Sequence, residues 1–284
     1  EMKQIHSSLQ GTTSVSEITA KFVRPSPSGL NKDQVEESLR FMNSIDLVES
    51  PTGDVLETVE RINENLFDKL PFEVRLLYHC NQQDGRQKHF TEIYTTLLDE
   101  GSRFVDANRE ELKTTLKRDT EYEFDWKKPK INMWVTLCDQ IGLVAETEGG
   151  RIVLSPCRAL MYDALTLAPV NSDDNPEHKD GIVRDGEARH MLDWINDNLF
   201  AVYETQGGTP RIHPAIADVL RNMEDNEVIS MSAPGDAQYE VKLPPENLEE
   251  DSRGNRRDVT HISIEACPDR TAYKYPLNQF ITHQ

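Results

Sequence analysis

The chain has 284 residues, 50 of them Asp or Glu against 31 Lys or Arg, for a formal net charge of −19; that length suits two or three domains, each with its own core. It holds no run of about 18 apolar residues and no basic-then-apolar leader, so a membrane span and a signal peptide are set aside and a cytoplasmic protein is expected. Cys80, Cys138, Cys157 and Cys267 have no close pair and lie mostly among apolar residues, which favours reduced core thiols over a disulfide framework or a four-ligand zinc site.

The acidic excess is spread along the chain. With 13 lysines against 18 arginines, it fits either an ordinary acidic protein or one from a high-salt, halophilic cytoplasm, where carboxylate-rich surfaces maintain solubility.

From the N-terminus, Met2, Ile5 and Leu9 make a helix face that stops at Gly11, and Ser14 or Ser16 is placed to cap a second helix through Ile18 and Phe22. Arg24 to Gly29, with two prolines and a glycine, interrupts it. A third helix starts near Asn31 and places Val35, Leu39 and Met42 on one stripe. The short aliphatic run Leu47-Val48, the turn Pro51-Thr52-Gly53-Asp54 and a return through Val55 and Leu56 then read as a two-stranded hairpin. Leu56 to Leu70 keeps helical spacing at Val59, Ile62, Leu66 and Leu70 and reads as a connection.

Next come a helix with Val74, Leu77 and Tyr78, a polar break from Asn81 to Lys88, and a helix with Phe90, Ile93, Tyr94 and Leu97. The pattern of the third helix and hairpin then recurs 96 positions on, at Ile131, Val135, Cys138, Leu143, Val144 and Ile152, with a turn at Glu148-Gly149-Gly150. Glu110 to Arg118 reads as an inserted helix that the first copy lacks, and Arg158 to Leu167 as a closing helix. Residues 169–186 are polar and breaker-rich, a linker. After a helix with Met191, Trp194, Ile195 and Leu199, the pattern recurs a third time, 181 positions from the first, at Ile216, Leu220, Met223, Val228 and Ile229, with a turn at Ala233-Pro234-Gly235-Asp236. The second helix of this copy is very short or missing. Val259 to Ile264 alternates as an added strand, and a tail with Tyr273, Tyr275 and Phe280 is suited to packing on a partner.

A helix that runs into a β-hairpin, three times over, resembles the recognition helix and wing of winged-helix DNA-binding proteins. The resemblance implies a mainly α fold with small β-hairpins, built of three winged-helix-like domains in tandem. Their expected bounds are 1–60, 61–168 with the inserted helix, and 187–284 for a degenerate copy with its added strand and tail.

It also implies double-stranded DNA as partner, met by the start of each repeat helix. Lys127, Lys128, Lys130 and Asn132 make the second copy the best candidate, since lysines neutralise phosphates, a helix N-terminus adds backbone donors and Asn pairs with adenine. Arg86, Lys88 and His89 precede it and can reach the flanking backbone. The first copy mixes Lys32 and Arg40 with Asp33, Glu36 and Glu37, and suits protein contact or a structural role better. Arg211 and His213 precede the third helix, and Arg256 and Arg257 lie in a cationic loop.

For an enzyme the pattern is poor. Asp236, Glu240 and Lys242 bear a superficial likeness to the acidic and lysine residues of metal-dependent nucleases, but the first acid lies too close to the others in sequence. There is no Gly-rich phosphate loop, the eight histidines are scattered, and no cofactor or metal is expected. The expectation is a non-enzymatic DNA-binding protein, either a transcription regulator or the DNA-recognition component of a restriction or anti-phage system. The alternatives are an adaptor that meets proteins through the C-terminal tail or the first domain, and a Mg-dependent nuclease subunit.

Overall fold

A computed structural model describes residues 2–23, 30–62, 70–84, 87–99, 103–105, 109–119, 125–168, 185–204, 211–233, 240–245 and 257–268. Among the described residues there are ten helices and small, mainly antiparallel sheets, and the chain divides into two compact units, Glu1–Lys88 and His89–Gln284. Among the described residues no helix is long and apolar enough to cross a membrane.

The first unit runs α1 (Met2–Ser8), β1 (Thr13–Ser14), α2 (Val15–Phe22), α3 (Lys32–Ser44), β2 (Val48–Glu49), β3 (Thr58–Arg61) and α4 (Phe72–Asn81). Ser14 caps α2 by accepting from the Glu17 amide. Asn31 and Gln34 form a reciprocal box at the start of α3, at 2.8 and 2.9 Å, which satisfies two otherwise orphan amides. Ile5, Ile18, Val35, Leu39, Met42 and Val59 are sealed in the core. The strands lie in the order β1-β3-β2. α4 meets α1 through Lys3–Glu73 at 2.7 Å and the His6–Phe72 ring pair at 5.4 Å.

The return strand of this hairpin falls at Thr58–Arg61, later than the expected Val55 and Leu56, and Val59 belongs to it and not to a helix. Asp54 causes the delay. Its carboxylate accepts from the Leu56 amide and its carbonyl from the Glu57 amide, so a second turn forms before pairing begins. Residues 63–69 of the expected connection lie outside the described residues.

The second unit begins α5 (His89–Asp99), β4 (Phe104–Val105), α6 (Arg109–Asp119), α7 (Lys128–Gln140), β5 (Ala145–Glu146) and β6 (Ile152–Val153), with strand order β4-β6-β5. Element order and strand order therefore match β1-β3-β2 of the first unit. The offset that relates the repeat helices also carries α2 onto residues 111–118, inside α6. The helix expected as an insertion is thus the counterpart of α2.

The chain continues through α8 (Arg158–Leu167), β7 (Asp185–Glu187), α9 (Ala188–Asn198), β8 (Tyr203–Glu204), β9 (Arg211–Ile212), α10 (Pro214–Asp225), β10 (Ile229–Ser232), β11 (Val241–Leu243), β12 (Arg257–Val259) and β13 (His261–Ile264). Here the expected third hairpin does not form. β10 pairs with β13, Ile229 opposite Ile264 and Ser232 opposite His261, while β11 joins a separate sheet between β12 and β9. The anchor is Arg257, which pairs with Glu224 at the end of α10 and donates to the Met231 carbonyl. That contact brings the later strand beside β10. The apolar alternation of β13 then buries Ile262 behind Met231.

All three repeat helices end alike. Asp46, Gly142 and Glu227 take left-handed backbone at φ 58°, 76° and 56°. The next amide, of Leu47, Leu143 or Val228, donates back to Met42, Cys138 or Met223, each at 2.9 Å. This six-to-one hydrogen bond is a Schellman cap. It turns every helix into its following strand in the same register.

Candidate nucleic-acid interface

α7 is fixed from beneath. Ile131, Trp134, Val135 and Cys138 are buried, and the Trp134 indole donates to the Phe90 carbonyl at 2.8 Å. Trp126, just before the helix, is also buried. These contacts leave the opposite side of the helix outward, so Lys127, Lys128, Pro129, Asn132, Met133, Thr136 and Gln140 are exposed and Lys130 is half-buried. Pro129 sits in the first turn, where its missing N–H removes nothing from the helix ladder.

The start of α7 has no acidic residue in its first turn and no side-chain cap. Lys127 instead reaches Asp125 at 2.8 Å, and Lys130 donates to the Asp125 carbonyl at 3.0 Å. The Lys127 hydrogen bond holds the Asp125 carboxyl below its usual range, and the same bond raises the lysine. Both groups are fully solvated, so this pair is weak. A phosphate can replace the Asp125 carboxylate as the acceptor.

The other repeat helices start differently. At α3 the Asn31–Gln34 box occupies the first amides, and Asp33 follows at once. At α10 the start is interior: His213, Pro214, Ala215, Ile216 and Ala217 are all buried, and the His213 ring caps the helix by accepting from the Ala215 amide at 3.1 Å. Burial lowers the His213 imidazole to about 4. α10 is further tied to residues before β4 by Arg103–Asp218 at 2.6 Å. This helix packs within its own unit, and among the described residues next to its start Arg211, on β9, is the exposed one.

The remaining expected positions separate. Lys88 is exposed and belongs to the first unit, and Arg86 and Arg256 lie outside the described residues. His89 is buried, edge-on to Trp126 at 5.8 Å with Nδ1 2.8 Å from Glu92, so its ring is part of the core and not of a cationic loop. Arg257 is held by Glu224. Burial raises the Glu224 carboxyl, but the hydrogen bonds from Arg257 and the Met231 amide, together with the Arg257 and Arg221 charges, outweigh it and the net shift is down. That guanidinium is a strut. Of the nuclease set, Glu240 is exposed, Lys242 is half-buried on β11, and Asp236 lies outside the described residues.

Met133 and Thr136 complete the outward face of α7 and were not among the expected contacts. Their signal lay in the repeat register, where Glu37 and Arg40 stand at the matching places of the first copy. Compared with protein-family models, with curated proteins and with solved structures, the chain matches none of them.

Proposed function

We propose that this is a non-enzymatic protein that binds double-stranded DNA, with α7 as the recognition helix of a winged helix and β5–β6 as its wing. The first unit is then a second winged helix, and the segment from α9 onward a third, degenerate one. A transcription regulator or the DNA-recognition part of a restriction or anti-phage system fits this reading. The observation that carries it is the contrast among three related helix starts. Only the second is outward, cationic, without a side-chain cap and without a carboxylate in its first turn, in a chain of net charge −19.

The test is a gel shift on mixed-sequence duplex DNA across a salt series. Replacing Lys127 and Lys128 by Ala should lower the slope of log affinity against log salt by about two, one per phosphate contact, and replacing them by Glu should abolish the shift. An unchanged slope would remove α7 as the interface. A second reading, an adaptor that contacts protein, is favoured for the first copy alone by the exposed carboxylates Asp33 and Glu37 on α3, which repel phosphates.

A further inference from the structure

We propose that the outward face of α7 reads a methyl group on C5 of a pyrimidine in the major groove, with Met133 as the contacting side chain. This rests on the DNA-binding reading of the same helix. Met133 is 68% exposed, and it and Phe104 at 36% are the large apolar side chains left exposed among the described residues. An unbranched thioether is soft and adaptable, suited to packing on a small apolar group.

The three copies sharpen this. Met133 occupies the place of Glu37 in the first copy and Asp218 in the third. Thr136 occupies the place of Arg40 and Arg221, and Asn132 that of Glu36 and Ala217. Both other copies spend this face on an ion pair, Arg40–Glu36 at 3.6 Å and Arg221–Asp218 at 3.7 Å. The second copy alone carries neutral side chains there, and the first carboxylate along α7 is Asp139.

The lysines at the helix start supply charge complementarity to a polyanion, so the occupant to which this face commits is a duplex. In the major groove thymine presents its C5 methyl at the groove edge, where apolar side chains can touch it. 5-Methylcytosine places a methyl at the same position. Met133 and the Thr136 methyl lie one helical turn apart on the same side, with the Asn132 amide beside them for a neighbouring base edge.

The experiment is a competition gel shift with the full chain and three random-sequence duplex pools of equal length: one unmodified, one with uracil in place of thymine, one with 5-methylcytosine in place of cytosine. Phosphate charge is the same in all. If thymine is the source, the wild type loses about fourfold in affinity on the uracil pool; if 5-methylcytosine is, it gains about fourfold on that pool, the factor for one methyl withdrawn from water. Met133→Ala erases the preference and binds the uracil pool as the wild type does, while Met133→Leu retains it. Equal wild-type binding to all pools, or a preference that survives in Met133→Ala, overturns the methyl contact and leaves the DNA reading standing. Binding to no pool overturns both and points to a protein on this face.

Discussion

Single residues decide which of the charged and titratable groups are available. His213 looked like a loop cation before a helix, yet it is the buried cap of α10, and His89, between Lys88 and Phe90, is covered by Trp126. Local sequence could not tell these, because the covering groups are distant in the chain or follow from a turn not visible in composition. Arg257 was equally opaque, since its partner Glu224 lies 33 residues away. Burial has a titration consequence. His213 falls from 6.5 to about 4, and His6 in the first unit also to about 4, first through burial and then through the nearby charges of Arg75 and Arg61. Their folded values lie below their unfolded ones, so the unfolded chain takes up protons first. The stability each contributes is full above about pH 6.5 and is lost as pH falls toward about 4. Urea melts at pH 7, 5.5 and 4.5 should show this decline, and His213→Asn, which retains a capping oxygen, should flatten it for the second unit.

At the scale of elements, what was legible was local. Asn31, the run from Lys127 to Asn132 and His213 placed the starts of α3, α7 and α10 closely, and one apolar stripe defined all three helices. Strand partners were not legible. Val59, Ile62, Leu66 and Leu70 satisfy helical spacing, but the pairing of Val59 with Thr13, and of its neighbours Glu60 and Arg61 with Glu49 and Val48, claims Val59 for a sheet. The third hairpin failed for the same reason, as an aliphatic run carries no mark of which later strand it will meet. The shared helix ending gives a test. Left-handed backbone costs a side chain roughly 1 kcal/mol that glycine does not incur. Asp46→Gly and Glu227→Gly should therefore each raise stability by up to about 1 kcal/mol in denaturant melts, and Gly142→Ala should lower it by a similar amount. Opposite signs would mean the caps are held by their side chains.

Across the whole molecule, charge sets the conditions under which the proposed interface would work. A net charge of −19 pushes the folded chain apart and repels a polyanion, and both effects weaken as the screening length drops from about 10 Å at 0.1 M salt to about 3 Å at 1 M. Thermal unfolding followed in 0.1 M and 1 M KCl should therefore show a higher midpoint at the higher salt; a flat response would mean that opposite charges already offset one another locally. DNA affinity moves the other way where lysine–phosphate pairs dominate, because counterion release fades with salt. A neutral contact such as Met133 keeps its strength there. On the proposed reading, the division of α7 into a cationic start and an uncharged outward face separates a salt-sensitive grip from a salt-tolerant one.

The pairing of β10 with β13 also fixes an order of events during synthesis. β13 lies between β10 and β7 and is the last strand among the described residues. As the chain emerges from the ribosome, the sheet of β4, β6 and β5 has all of its strands once residue 153 is out. The faces of Ile229 and Met231 must wait until residue 264 is out. Until then β10 and β7 each present an open strand edge on the side that β13 covers.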